Sequence, residues 1–313
     1  MLRTMGVPAA VIRLLPPDLA DAAAALDAAE VGRLEEIRLR IARPMAFVGV
    51  PARVHRMVKL EHLQHVLAVA TESSLYAAES QLRQGYITLP GGHRVGVAGR
   101  VVLDGDDHIR TIRDFSSIAI RIARQAAGCA SEVASLITRP DGELLSSLLV
   151  GPPLSGKTTL LRDLARLLGD GSLWRNGGAL RVGVVDERSE IAGSFRGAPQ
   201  FDVGAATDVL DGCPKVEGMY MMVRAMAPQV IITDEIGTTA DVRAMMDASR
   251  AGVKLIASVH ALAVDDLRRR PALASLVRSR AIERYVFLRR NGGRPTVAGV
   301  YDADLHEVRR AWR

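Results

Sequence analysis

Gly151-Pro152-Pro153-Leu154-Ser155-Gly156-Lys157-Thr158 fills every fixed position of the phosphate loop G-x-x-x-x-G-K-[ST]. The pattern has a physical reason at each place. Glycines at 151 and 156 let the backbone curl until successive N–H groups point inward at phosphate oxygens. Lys157 brings a point charge to the β- and γ-phosphates, and the Thr158 hydroxyl is a Mg²⁺ ligand. Pro152, Pro153, Leu154 and Ser155 complete the cradle, and Thr159 follows in the first helical turn. A helix opening near Lys157 adds the positive end of its dipole. The flanks agree. Leu144 to Val150 is an apolar run that predicts a buried strand, and Thr158 to Leu168 carries apolar residues at helical spacing, closed by Gly169.

Three further apolar runs, Val182–Val185, Val230–Thr233 and Leu255–Val259, join Leu148–Val150 as predicted core strands. Helical segments separate most of them, which predicts a mostly parallel sheet with crossover helices. Ligands gather at the carboxyl edge of such a sheet, and each of these three strands ends there in chemistry-bearing residues. After Val230–Thr233 come Asp234, placed to hold Mg²⁺ directly or through a water, and Glu235, placed to polarise the attacking water. After Val182–Val185 come Asp186, Glu187, Arg188, Ser189 and Glu190. Glu187 rivals Glu235 as the base. Asp186 or Glu190 is a candidate for shaping the Mg²⁺ shell, and Arg188 is equally readable as a surface partner for a neighbouring acid. His260 follows Leu255–Val259; Ser258 or His260 is placed to contact the γ-phosphate and report hydrolysis, and His260 is equally readable as a structural hydrogen-bonding residue. Thr207 to Pro214 reads as turn-rich. Met219, Met221, Met222 and Met226 read as a helix that fills core, or alternatively as a mobile interface element.

Upstream the texture differs. Asp18 to Val31 predicts a helix, Glu35 to Ile41 a strand and Leu60 to Leu82 a helix. Tyr86–Pro90 and His93–Ala98 flank Gly91-Gly92 as a hairpin signal, and Val101–Leu103 with His108–Ile112 repeats it. The predicted division is an α+β domain with an antiparallel sheet over residues 1–125 and a phosphate-loop domain over 126–313.

A length of 313 residues accommodates both domains. Hydrophobic content of 48% against 24% charged excludes a disordered chain, and only 4% aromatics means cores built from aliphatics and Met. The net charge of +6 spreads over 41 basic and 35 acidic residues, so it permits anionic partners without demanding them. Cys129 and Cys213 lack metal-ligand spacing, so no zinc site or disulfide framework is indicated, and they read as small buried residues suited to a reducing cytoplasm. The N-terminal run Met1 to Pro8 lacks a signal-peptide core, and no charge-free apolar stretch reaches the roughly 18 residues that cross a bilayer. A role at a membrane therefore calls for other subunits to hold the chain there.

Taken in combination, Glu35–Arg40, Gly91–Arg94, Ser116–Arg124, the phosphate loop, Val185–Ala192, Thr207–Pro214 and Thr233–Gly237 resemble the stage III sporulation protein AA family across nearly the whole chain. That resemblance implies similarity to the ring-forming ATPases of secretion systems. It implies a cytoplasmic protein of endospore formation that binds ATP and energises a transenvelope channel complex. Such rings bind ATP near subunit or domain boundaries, so an N-terminal-domain arginine can complete a site; Arg94, Arg100, Arg121 and Arg124 are the candidates. The acidic box of the secretion ATPases corresponds to the segment holding Glu187, while Asp234-Glu235 has the form of other ring ATPases, so the base stays open between Glu187 and Glu235. His260 falls where those ATPases carry a histidine box.

The expectation is thus an α/β protein: a RecA/AAA-like P-loop NTPase core with a mostly parallel sheet, plus a smaller N-terminal α+β domain. Its expected activity is Mg²⁺-dependent ATP hydrolysis by a homo-oligomer, a hexameric ring, partnered by membrane proteins of a sporulation channel complex. Two other readings stand beside it. One is a nucleic-acid-dependent motor, suggested by the Arg-rich composition although no nucleic-acid-binding motif is visible. The other is a nucleotide-gated scaffold without useful turnover.

Overall fold

The structure is a computed structural model that describes residues 6–51, 53–72, 79–83, 85–105, 108–173, 178–291 and 294–308. The chain divides into two compact units, Met1–Arg124 and Gln125–Arg313.

In the first unit, helices α1 (Ala9–Leu14), α2 (Pro17–Ala24) and α3 (Ala28–Arg33) precede strands β1 (Glu36–Arg40), β2 (Pro44–Val48) and β3 (Arg53–Met57). Helices α4 (Leu60–Ala70) and α5 (Glu79–Arg83) follow, then β4 (Tyr86–Thr88), β5 (Arg94–Leu103) and β6 (Ile109–Arg121). The sheet is antiparallel, in the order β3-β2-β1-β6-β5-β4. Its core joins Leu14, Leu19, Leu34, Ile37, Leu63, Val66, Val95 and Ile118. Two expectations are corrected. The helix read over Asp18–Val31 is two helices, because Asp27 and Glu30 form a reciprocal capping box. The Asp27 carboxylate accepts from the Glu30 N–H at 2.7 Å, and the Glu30 carboxylate accepts from the Asp27 N–H at 3.0 Å. The helix read over Leu60–Leu82 stops at Ala70, where the Thr71 hydroxyl caps it by donating to Leu67 O at 2.9 Å. Positions 73–78 of that prediction lie outside the described residues. The two runs His93–Ala98 and Val101–Leu103 fall on the single strand β5.

In the second unit α6 (Ser131–Leu136) leads into β7 (Ser147–Val150), α7 (Lys157–Gly169), β8 (Val182–Asp186) and β9 (Thr207–Asp211). Then come α8 (Lys215–Met226), β10 (Val230–Thr233), α9 (Thr239–Arg250), β11 (Lys254–Val259), α10 (Val264–Arg269) and α11 (Pro271–Ser279). The hairpin β12 (Arg284–Asn291) and β13 (Arg294–Tyr301) completes the sheet. The strand order is β13-β12-β7-β11-β10-β8-β9, parallel throughout except for the β12–β13 pair. Side chains alternate across it as period two requires. Leu148, Val150, Ile231, Tyr285 and Phe287 face one core with α8, α9 and α11, while Leu149, Ile232, Ile256, Val286 and Leu288 face the other with α6 and α7. Thr207–Asp211 is not a turn but edge strand β9, recruited by in-register parallel pairing from Val182↔Thr207 to Asp186↔Asp211. Its edge place explains the polar residues that made it look like a turn. Among the methionines, Met219 and Met222 are buried and fill the core, whereas Met221 and Met226 are exposed. Cys129 and Cys213 are half-buried rather than buried. No helix of the described residues is long and apolar enough to cross a membrane.

Candidate functional site

The phosphate loop connects β7 to α7 and sits at the carboxyl edge of the parallel sheet, as the motif requires. Gly156 is the N-cap of α7 with φ +90°, a conformation that only glycine adopts without strain. Close approach also restricts Gly151: a Cβ there would lie 2.8 Å from Ser155 Oγ and 2.9 Å from Leu288 O. Leu154, at the bend of the loop, is held at φ +63°.

Lys157 is 6% exposed, and its ammonium is folded back into the loop. Nζ donates to Gly151 O and Pro152 O at 2.8 Å each and lies 3.4 Å from Ser155 Oγ and 3.0 Å from His260 Nδ1. Burial lowers its pKa to about 8, with the Glu235 carboxylate pulling the other way. An ammonium has only donors, so the Lys157 contact at 3.0 Å assigns Nδ1 of His260 as the acceptor and the ring proton to Nε2, against a longer 3.3 Å approach of Nδ1 to Gly151 O. Nε2 faces Glu235 Oε1 at 3.3 Å. Glu235 Oε2 in turn accepts from Arg188 Nη1 at 2.9 Å. A polar chain therefore runs Lys157–His260–Glu235–Arg188 across four sheet-edge loops, those after β7, β11, β10 and β8. Glu235 is held at φ +37°, where an acidic residue is strained, and its N–H donates to Ser258 Oγ at 3.0 Å.

The other acids differ sharply in their surroundings. Asp186 is fully buried and accepts from the N–H groups of Glu190, Ile191 and Ala192 at 2.8, 3.0 and 2.8 Å, so its carboxylate shapes the following loop. Burial nonetheless raises its pKa. Glu187 is ion-paired with the buried Lys215 at the start of α8. Asp234 is 3% exposed, and its Oδ1 is buried without a hydrogen-bond partner among the described residues. Its pKa is pushed up to about 7, first by burial and then by the nearby Asp186 charge, with Lys215 and Arg188 opposing. A buried, unsatisfied carboxylate oxygen beside a phosphate loop is the kind of atom a hydrated Mg²⁺ satisfies, so the residues fit that ion and a triphosphate.

The loop residues, Thr158, Thr159, Asp234, Glu235, Glu187 and His260 thus lie at one edge of the second unit. Arg94, Arg121 and Arg124 belong to the first unit and make contacts within it. Arg94 stacks on Tyr86 at 3.7 Å, Arg121 Nε is 3.7 Å from Glu36, and Arg124 donates to Val31 O and to Leu34 O. Arg100 lies opposite Arg113 on the β5–β6 hairpin and is exposed.

Sequence reasoning missed two residues. Lys215 opens a helix, where the dipole disfavours a cation; that misfit was a signal that it has an anionic partner. Arg162, buried on α7, donates to Ile191 O and Glu190 O at 2.6 Å each and stacks on Phe201 at 3.7 Å. Burial lowers its pKa to about 10. It bolts the phosphate-loop helix to the Asp186–Ala192 loop, and a charged residue inside an otherwise buried stripe was its only trace.

Comparison with solved structures finds the same fold in known ATPases and motors. The chain is similar to the ATPase DotB of Legionella pneumophila, with a TM-score of 0.58 at 14% identity over 97% of this chain and 83% of that one. It is similar to the pilus retraction motor PilT with bound ADP, with a TM-score of 0.56 at 16% identity over 87% and 80%. The architecture is accordingly α/β, a P-loop ATPase fold accompanied by a separate antiparallel-sheet unit. Sequence relatives are more specific. Stage III sporulation protein AA of Bacillus subtilis (strain 168) is 42% identical over 296 residues, 94% of this chain and 95% of that protein. A second relative, the uncharacterized protein ycf45 of Porphyra purpurea, is 32% identical over 162 residues, 51% of this chain and 27% of that protein. The model of the family "Sporulation stage III, protein AA" spans residues 19–308, so phosphate loop, sheet-edge acids and His260 all fall within it, and the chain belongs to that family.

Proposed function

We propose that this chain is a Mg²⁺-dependent ATPase that assembles as a hexameric ring and energises a membrane-associated sporulation channel complex from the cytoplasmic side. The observation that carries the reading is the Lys157–His260–Glu235 chain, which ties the phosphate loop to a carboxylate at the next sheet edge. The loop amides and Lys157 bind the triphosphate and stabilise charge that develops on it during transfer. Thr158 and Asp234 hold Mg²⁺, which neutralises phosphate charge when bound. Glu235 is the better base. It accepts a proton from water, whose oxygen then attacks the γ-phosphorus as ADP leaves. Glu187 is committed to Lys215 and serves to fix the start of α8. His260 donates to Glu235 and orients it, and when a phosphate draws Lys157 away, His260 registers the change. The solved ATPases of the same fold support hydrolysis, and the sporulation relative supports the setting.

The test is Lys157→Ala. Steady-state phosphate release is expected to vanish while thermal stability is retained. Wild-type turnover by that variant in a clean preparation would refute the assignment.

A further inference from the structure

The hairpin β12–β13 lies directly against the phosphate loop. A Cβ at Gly151 would lie 2.9 Å from Leu288 O, and one at Gly156 would lie 2.9 Å from Pro295 Cβ. The register shows how. Strand β12 runs parallel to β7 up to Phe287↔Val150, the last residue before the loop. Beyond that point β12 continues past the sheet edge, alongside the loop, as far as Asn291.

Alternation then sorts the side chains of this extension. Leu288 belongs to the core cluster built on α7, the helix that begins at Lys157. Arg290, two residues on, shares that face. Its cross-strand partner is Pro295, the residue that touches Gly156. Cross-strand partners share a face, so Arg290 stands on the side of the hairpin that meets the phosphate loop and the start of α7. Arg289 pairs with Thr296 and occupies the opposite face. Arg290 is exposed.

The strand order fixes which end of a nucleotide it meets. Strand β7 has β11 on one side, with His260 and Glu235 beyond it, and β12 on the other. With Glu235 as the proposed base, the water-attacked γ-phosphate falls on the His260–Glu235 flank. The hairpin flank is left for the α-phosphate and nucleoside.

We infer that Arg290 is a nucleotide-binding residue that contacts the α-phosphate end of the bound nucleotide. This rests on the nucleotide reading proposed above. An arginine there meets ADP and ATP alike, so it contributes uniform binding and not transition-state stabilisation. It differs in kind from an arginine acting on the γ-phosphate.

The test is calorimetric titration of the full chain with Mg·ADP, for the wild type and for Arg290→Ala, Arg290→Lys and Arg289→Ala. Arg290→Ala is expected to raise the ADP Kd about tenfold or more, the loss of one charged hydrogen bond. Arg290→Lys should recover part of that, and Arg289→Ala should stay within about twofold of wild type. Steady-state ATP turnover should show a raised KM with kcat little changed. Arg290→Gln replaces the alanine variant if the latter melts below wild type without nucleotide. Wild-type ADP affinity in the Arg290 variants overturns the inference and leaves the nucleotide reading standing, as does equal loss in Arg289→Ala, which would mark a diffuse charge effect. A wild-type chain that takes up no ADP overturns the nucleotide reading itself, and this inference with it.

Discussion

Asp234 keeps its proton to about pH 7 because it is buried beside a second buried acid. In the unfolded chain an aspartate titrates near 3.9. The folded state therefore binds the extra proton between those values, and metal-free stability falls as pH rises through that window. Three pKa units correspond to up to about 4 kcal/mol above pH 7. Asp234→Asn removes the titrating charge. Without metal, the variant is expected to be more stable than wild type at pH 8, and by a much smaller margin at pH 4. Denaturant unfolding at both pH values checks this, and an equal margin at the two would rule it out. The same carboxyl is a proposed Mg²⁺ ligand, so the site accepts instability in exchange for a metal-ready oxygen. Tyr285 is the counterexample. Its hydroxyl is fully buried in the α9–α11 core with no hydrogen-bond partner among the described residues, and burial drives its pKa up. It lies on β12 upstream of the nucleotide edge and serves no proposed role. Tyr285→Phe is expected to stabilise the fold by about 1 kcal/mol, read as a higher denaturant midpoint at unchanged slope.

At the scale of elements, the phosphate loop is legible because its chemistry is local: eight successive residues set the turn, the charge and the helix start. Gly156 shows how tightly that element is specified. Both its φ of +90° and the Pro295 contact exclude a side chain. Gly156→Ala is expected to cost about 1–3 kcal/mol in stability and to remove ADP binding detectable by calorimetry; retained wild-type affinity would show that the loop is not the phosphate cradle. The core strands were legible too, since buried parallel strands read as continuous apolar runs. What failed had competing physics. The Asp27–Glu30 box outcompeted helix continuation through Ala25–Asp27, and pairing with β8 overrode the turn chemistry of Thr207–Asp211. The site's ion pairs were illegible for a different reason. Arg188–Glu235 and Glu187–Lys215 join residues 47 and 28 positions apart, and only the sheet order brings them together. Nor could spacing alone decide between Glu187 and Glu235. Their partners differ: Glu187 pairs with Lys215, whereas Glu235 pairs with Arg188 and faces His260.

For the whole molecule, the carboxyl edge of the parallel sheet leaves two large apolar side chains of the described residues in solvent. Leu154, on the phosphate loop, is 73% exposed, and Leu262, two residues past His260, is 76% exposed. Soluble surfaces carry single exposed leucines without consequence, but both of these flank the proposed ATP site on neighbouring loops. A ring in which copies meet near the nucleotide would cover them. Leu262 is the better probe, because its side chain makes no part of the Lys157–His260–Glu235 chain and only its N–H is committed, to Asp266 at 2.8 Å. Sedimentation with Mg²⁺ and a non-hydrolysable ATP analogue is expected to show wild type as a hexamer. Leu262→Asp places a carboxylate in the proposed contact, where desolvating an unpaired charge is strongly unfavourable. It is expected to sediment mostly as single chains while binding ADP with wild-type affinity. Assembly of Leu262→Asp to the same extent as wild type would remove this loop from the interface. A wild-type chain that stays single at every nucleotide state would remove the ring from the proposal and leave a monomeric nucleotide-binding protein.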